Sequence, residues 1–354
     1  SFSITVQNDA PSNHFNTVLY TGTGSTNPIT TVGFPPDFTW VKSRNNSRSH
    51  ALVDSVRGGN GSAMQIIDSA TNASQFLGTN YFNSLDSAGF TVSGNDTYTN
   101  NGNFVAWNFK AGGAAVANTD GTINSDVSVN NTLGFSIVKY DGAGLSGSAT
   151  TVGHGLNAAP ELIIVKPYET GLTASSWFVY SENVGNTKEL YLNTNSAEVS
   201  DGNRWNSTSP SSTVFTLGSS FSSYPSYYGG DTIAYCFASK PGFSKVGSYT
   251  GNGSTSGPMV QTGFEPAFVM IKSTSSSGTA WNMWDNKRTP YDMLRANASD
   301  AEYAGPGRIQ FFANGFQLLD ADASRNSSGG NYIYLAFAAD GSTATPSLAN
   351  SFAT

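Results

Sequence analysis

Apolar residues along this chain come in short runs, each fenced by Gly, Asn, Ser or Pro. That pattern predicts β-strands joined by turns, because a strand needs few residues to cross a sheet and turns need residues that bend the backbone cheaply. Thr39-Trp-Val-Lys42, Leu162-Ile-Ile-Val-Lys166 and Phe268-Val-Met-Ile-Lys272 read as strands buried on both faces. Each ends on a Lys that is expected to emerge at the strand end, where its ammonium reaches water. Phe178–Tyr180, Glu189–Leu192 and Ile309–Phe312 are further strands, and Asn100-Asn-Gly102 and Ala313-Asn-Gly315 are tight turns. Helical periodicity is weak; its best candidates are Asp292–Glu302 and Ser62–Ser69. Many short strands with frequent turns predict an all-β protein of the sandwich or jelly-roll type.

The strand blocks recur in the same order three times. Tyr20-Thr-Gly-Thr-Gly24 returns as Tyr140-Asp-Gly-Ala-Gly144 and Tyr249-Thr-Gly-Asn-Gly253. A Gly/Pro-rich block leading into a strand follows each copy: Val32–Lys42, Gly153–Lys166 and Gly263–Lys272. An aromatic strand comes next, Gly89–Val92, Val214–Leu217 and Gly315–Leu318, and Phe104–Lys110, Thr232–Ala238 and Tyr332–Ala338 close the copies. The period of about a hundred residues is a domain length, longer than a solenoid unit, so each copy is expected to carry its own core. The division that follows is an N-terminal segment 1–15, β-sandwich modules 16–112, 134–240 and 241–341, a Gly/Ala/Asn-rich linker 113–133, and a polar tail 342–354. Modules two and three are joined so tightly that a packed pair is expected.

Only 12% of the residues are charged, with 24 acidic against 17 basic, roughly half the usual charged share of about 25%. Yet 38% are hydrophobic and 12% aromatic, which excludes a disordered chain. A net charge of -7 argues against a nucleic-acid partner, which needs a basic footprint. No apolar run is long enough to insert in a membrane, and no apolar signal core opens the chain. One cysteine, Cys236, permits no internal disulfide.

Chemistry-bearing residues are sparse. The three histidines, His14, His50 and His154, lack metal-ligand spacing, and no hydrolase or nucleotide-binding motif is present, so no catalytic residue, metal or cofactor is expected. His154 sits where the other copies carry Phe34 and Phe264, which favours packing. His50 aligns with Trp177 and Trp281, again mainly a packing slot, although a His/Trp platform can stack on a sugar. Asp54 with Arg57 and Asp285 with Arg288 recur as charge pairs that tether a loop, and Glu182 with Gly185 stands in their place in the second copy. The acidic loops Asp120–Asp126 and Asp320-Ala-Asp322 are the nearest approach to calcium sites, without the spaced bidentate carboxylate such sites use. Aromatic loop residues remain as candidate ligand contacts: Tyr224, Tyr227 and Tyr228, and Trp205 beside Arg204. Tyrosine offers contact area at low entropy cost together with a hydroxyl.

The repeated blocks, with His50–Gly58, Val105–Gly113, Val152–Leu156 and Gly247–Ser254, resemble a repeated domain of unknown function found in structural proteins of marine tailed bacteriophages, including those of cyanobacteria. The resemblance runs from about residue 16 to 340. It implies a virion protein, a tail fibre or similar appendage that engages host surface polysaccharide through loops, with other virion subunits as partners and a homo-oligomeric state. The alternatives are a capsid-decorating or fibre-shaft element without a ligand and, less favoured, a glycan depolymerase. By analogy the sandwich is of the concanavalin A-like jelly-roll kind. The lack of disulfides fits folding in a reducing bacterial cytoplasm before release on the extracellular particle.

Overall fold

The alternation of side chains along the three closing strands governs the architecture, because each of these strands is apolar on both faces. A computed structural model describes residues 9–142, 149–169, 175–222, 230–288, 292–305 and 307–341. In the first repeat the strands are β1 (Phe15–Thr21), β2 (Asn27–Ile29), β3 (Phe38–Ser43), β4 (Ala51–Asp54), β5 (Gln65–Ile66), β6 (Phe76–Leu77), β7 (Phe82–Asp86), β8 (Gly89–Val92) and β9 (Asn103–Phe109). The second holds β10 (Val116–Asn118), β11 (Ser125–Asn130), β12 (Phe135–Asp141), β13 (Thr150–Gly153), β14 (Leu162–Pro167), β15 (Phe178–Ser181), β16 (Lys188–Tyr191), β17 (Val199–Ser200), β18 (Val214–Leu217) and β19 (Asp231–Phe237). The third holds β20 (Ser244–Thr250), β21 (Met259–Gln261), β22 (Pro266–Ser273), β23 (Asn282–Asp285), β24 (Leu294–Arg295), β25 (Ile309–Phe312), β26 (Gly315–Leu318) and β27 (Asn331–Ala338). The protein is all-β, with antiparallel strand pairing in every sheet.

One strand order is used three times. The large sheets run β1-β9-β3-β4, β12-β19-β14-β15-β16 and β20-β27-β22-β23-β24, so the closing strand inserts between β1 and β3, between β12 and β14, and between β20 and β22. Small sheets, β2-β8-β7, β13-β18 and β21-β26-β25, accompany them. Residues 113–133, read from composition as a linker, instead contain β10 and β11, which extend the large sheet of the second repeat. Neither helix candidate is helical. Gln65–Ile66 and Leu294–Arg295 are short strands, and Leu294 pairs with Met283 so that its side chain joins the core. Sheet pairing and burial outweigh the weak helical pattern of these segments.

Alternate residues of each closing strand face two different cores. Phe104 and Ala106 of β9, Ala234 and Cys236 of β19, and Tyr332, Tyr334 and Ala336 of β27 pack within their own repeat. Val105, Trp107 and Phe109, Ile233, Tyr235 and Phe237, and Ile333, Leu335 and Phe337 point the other way, into a single cluster fed by all three repeats. This shared cluster is the largest in the molecule. Each repeat therefore has an apolar cluster of its own and a second face that its neighbours bury. Phe109, Phe237 and Phe337 occupy equivalent positions and meet one another with ring centroids 5.1, 6.2 and 6.5 Å apart. An apolar cavity of about 20 Å³ lies beside Phe109 and Phe237.

The Tyr-x-Gly-x-Gly motif is a latch between loops. Gly22 and Gly251 donate their amides to Gly102 O and Gly330 O at 2.8 Å, an approach so close that a Cβ would fall 2.2 Å from Asn100 C or 2.3 Å from Ser327 O. Buried Asn100 and Asn326 fasten the same loops, accepting from Thr23 N–H and Asn252 N–H respectively.

Truncating one ring of the triad tests the shared core. Phe237→Ala is expected to cost about 3–5 kcal/mol, and calorimetry should show a single, lowered transition for the whole chain. Separate transitions for the repeats would contradict a common core.

Candidate functional site

The aromatic slot aligned in the sequence is a slot between repeats. His50, Trp177 and Trp281 each lie opposite a strand-end lysine, just beyond the last paired residues of β4, β15 and β23. Each reaches a backbone carbonyl of the preceding repeat in a cyclic order, at the end of β16 or β24 or just past β5. Trp177 Nε1 donates to Asp68 O at 2.9 Å, Trp281 Nε1 to Tyr191 O at 2.9 Å, and His50 Nε2 to Arg295 O at 2.9 Å. In the first repeat Trp40 Nε1 donates to His50 Nδ1 at 2.7 Å, which leaves the proton on Nε2. A second indole in that slot would leave the Trp40 N–H without an acceptor, so the imidazole is the residue that serves both neighbours. Burial pulls the His50 pKa down to about 3. None of the three rings has an open face for a sugar, since His50, Trp177 and Trp281 are at most 1% exposed.

The recurring charge pairs also join repeats. Asp54 and Arg57 meet at 2.6 Å and Asp285 and Arg288 at 2.8 Å, all four side chains fully buried. Each aspartate tethers its own loop by accepting backbone amides, as expected. Each also accepts a ring donor from another repeat: Tyr235 OH to Asp54 at 2.8 Å and Trp107 Nε1 to Asp285 at 3.0 Å. The register places Ser181, not Glu182, opposite Leu162 at the equivalent position, and Val184 rather than Gly185 follows where the arginine would stand. The donor equivalent to Tyr235 and Trp107 is Leu335, which cannot donate. Carboxylate, guanidinium and ring donor are thus all absent together from the junction of repeats two and three. Beside the third repeat's pair, Glu302 bridges Arg288 at 3.2 Å and Arg44 of the first repeat at 2.9 Å.

The strand-end lysines do not reach water. Lys42, Lys166 and Lys272 are wholly buried, on the face of their strands that looks toward the shared core. Their Nζ groups donate to backbone carbonyls: Ser43 O at 2.7 Å, Ser175 O at 2.5 Å with Asn72 O at 3.0 Å, and Thr279 O at 2.6 Å. Burial pulls their pKa values down to about 8, 7 and 8 respectively. The snorkelling expectation failed because the loop that follows each strand folds back over the ammonium.

Of the remaining candidates, Trp205 is buried against Tyr180 and Phe221. Arg204 is buried too, bonded to Glu189 at 2.6 Å and lying over the Phe178 ring at 4.1 Å. Tyr224, Tyr227 and Tyr228 lie outside the described residues. His154 is buried like Phe34 and Phe264, with Nε2 3.2 Å from Ser211 O. Asp320 and Asp322 are engaged by Arg325, and no group of three metal-ligating side chains occurs among the described residues.

Open concavities lie elsewhere. A cleft of about 370 Å³ between repeats two and three is lined by Asn195, Thr279, Arg295, Asn297, Asp300, Asp322 and Ser324, with only alanines as apolar lining. Another of about 360 Å³ is bordered by Asp126, Lys139, Asp141 and Asp231. Sequence reasoning passed over the first because its residues come from four separated loops, and because the stretch Asp292–Glu302 reads as a helix rather than as a wall.

Fold and site together define a three-repeat, all-β protein in which a set of buried polar side chains joins the repeats. The chain belongs to the family DUF7483, a domain of unknown function, whose profile matches residues 10–340 as one unit across all three repeats. No curated protein and no solved structure matches it.

Two measurements check the junction chemistry. Arg57→Met strands a buried carboxylate and is expected to cost about 3–5 kcal/mol in urea unfolding. The triple change Asp54→Ser, Arg57→Val, Tyr235→Leu, which copies the junction of repeats two and three, should recover most of that loss; equal or greater destabilisation would show that the pair is not replaceable. For the lysines, the unfolded chain keeps its protons up to about pH 10.4 while the folded chain releases them from about pH 7. Stability therefore rises with pH between about 7 and 9.5. Lys166→Met should flatten that rise in urea titrations at stepped pH, and an unchanged slope would refute the assignment.

Proposed function

We propose that this protein is a non-catalytic structural and binding module of an extracellular assembly, such as a phage tail fibre or similar virion appendage, built from three tandem jelly-roll-type sandwiches. In this reading it engages neutral polysaccharide through its polar loops. One observation carries the reading: the buried histidine, arginine, lysine and carboxylate side chains are engaged in bonds within and between repeats, while the loops outside are rich in Ser, Thr, Asn and Gly. A surface of that kind recognises ligands by hydrogen bonds rather than by long-range charge.

Glycoside hydrolysis asks for two facing carboxyl groups, one held protonated by a raised pKa. Asp300 and Asp322 do line one cleft. Burial would raise the Asp322 carboxyl, but bonds from Ser324 and the charge of Arg325 outweigh it and hold the group below its ordinary value. That is the wrong direction for a general acid, so binding is favoured over depolymerisation. The shared core favours a rigid element, which a fibre shaft or capsid decoration without a ligand would equally use.

A glycan array containing neutral and charged polysaccharides separates these readings. Binding to neutral glycans is expected, with affinity nearly unchanged between 0.05 and 0.5 M NaCl because screening acts on charges. A steep loss with salt would overturn the neutral-ligand reading, and no signal on any glycan would leave the purely structural one.

A further inference from the structure

We propose that Asn314-Gly315 is a site of spontaneous covalent modification, where the Asn314 carboxamide deamidates to aspartate and isoaspartate. The site is independent of any ligand-binding role. Asparagine followed by glycine is prone to this reaction because glycine has no Cβ to hinder attack by its own nitrogen. The glycine nitrogen attacks the asparagine Cγ. An N–Cγ bond forms, the Cγ–Nδ2 bond breaks, and ammonia leaves with the amide proton. Water then opens the five-membered imide at either carbonyl, leaving a carboxylate where an amide stood.

The chain carries this dipeptide four times, at Asn60, Asn101, Asn252 and Asn314, and their surroundings differ. Asn252 is held at both ends of its carboxamide: Oδ1 accepts from Ser254 N–H at 3.0 Å and Nδ2 donates to Ser256 O at 3.0 Å. Oδ1 of Asn60 accepts from Ser62 N–H at 3.1 Å and Ala63 N–H at 3.0 Å. Asn101 donates to Asn95 Oδ1 at 2.8 Å. Asn314 is exposed, and none of the described residues bonds its carboxamide. Its Cγ can turn toward the Gly315 nitrogen, whereas the other three must first give up hydrogen bonds.

The backbone adds to this. Ala313 and Asn314 make the two-residue turn between β25 and β26, and Phe312–Gly315 is the last rung of that ladder. Terminal rungs are where pairing opens most readily. Thr262 N–H donates to Asn314 O at 3.1 Å, which draws charge from the peptide whose nitrogen must lose its proton. The glycine is imposed by the sheet, since a Cβ on Gly315 would fall 2.0 Å from Val260 O, as one on Gly89 would fall 1.9 Å from Ile29 O in the first repeat. Ala88 precedes that glycine in the first repeat and Asn314 in the third, so of these two equivalent turns only the third repeat's can react.

The test holds the full chain at mildly alkaline pH, folded and in urea, and follows each dipeptide by peptide mapping with mass spectrometry. In the folded chain Asn314 is expected to convert first, about tenfold or more ahead of Asn60 and Asn252, which have at least two bonds to break. In urea the four should converge, because the reacting dipeptide is the same. Asn314→Gln, which can close only a slower six-membered ring, should remove the early product at an unchanged melting temperature. Conversion of Asn60, Asn101 or Asn252 as fast as Asn314 in the folded chain would overturn the assignment. So would a lead for Asn314 that persists undiminished in urea.

Discussion

The structure depends on closing strands that are apolar on both faces. A strand with one polar face can end a sandwich in water; β9, β19 and β27 cannot, because Trp107, Tyr235, Leu335 and the phenylalanine triad face away from their own repeats. Burying them requires two other copies of the same surface. The polar groups on that surface then have to find partners inside the junctions, which is why the indoles of Trp107, Trp177 and Trp281, the His50 imidazole and the Tyr235 phenol end on carbonyls or carboxylates of another repeat.

The junctions solve this in two ways. Where a ring donor is present, as with Tyr235 and Trp107, a buried carboxylate accepts it and a buried arginine balances the charge. Where the donor is Leu335, serine and valine occupy the corresponding sites, and Ser181 Oγ is left buried without a partner. Removing a buried ion pair as a unit is cheap and removing half of it is costly, so the three positions behave as one choice.

Much of this was legible in the sequence. Strand content, the three copies, the alignment of His50 with Trp177 and Trp281, and the charge pairs all follow from spacing and repetition, which report local geometry. What the sequence hid was which face of a strand looks where. Lys42, Lys166 and Lys272 read as snorkelling residues because nothing in the chain announces that a loop closes over them. Residues 113–133 read as a linker because Gly and Ala dominate their start, while the partner that makes Ser125–Asn130 a strand is β12, a few residues downstream. The cleft at Arg295 was invisible because it is assembled from loops that are far apart in the chain.

The phenylalanine triad has an evolutionary consequence. Solenoid arrays gain and lose units easily, since each unit meets only the one before and the one after. Here every unit meets both others around Phe109, Phe237 and Phe337. A fourth copy would find no vacant place, and a chain with two would expose an aromatic face to water. Copy number is thereby locked, and difference among the copies is the variation the ring contacts tolerate: an imidazole where the other junctions hold an indole, and no ion pair at the junction of repeats two and three. The three units stand or fall as a single block.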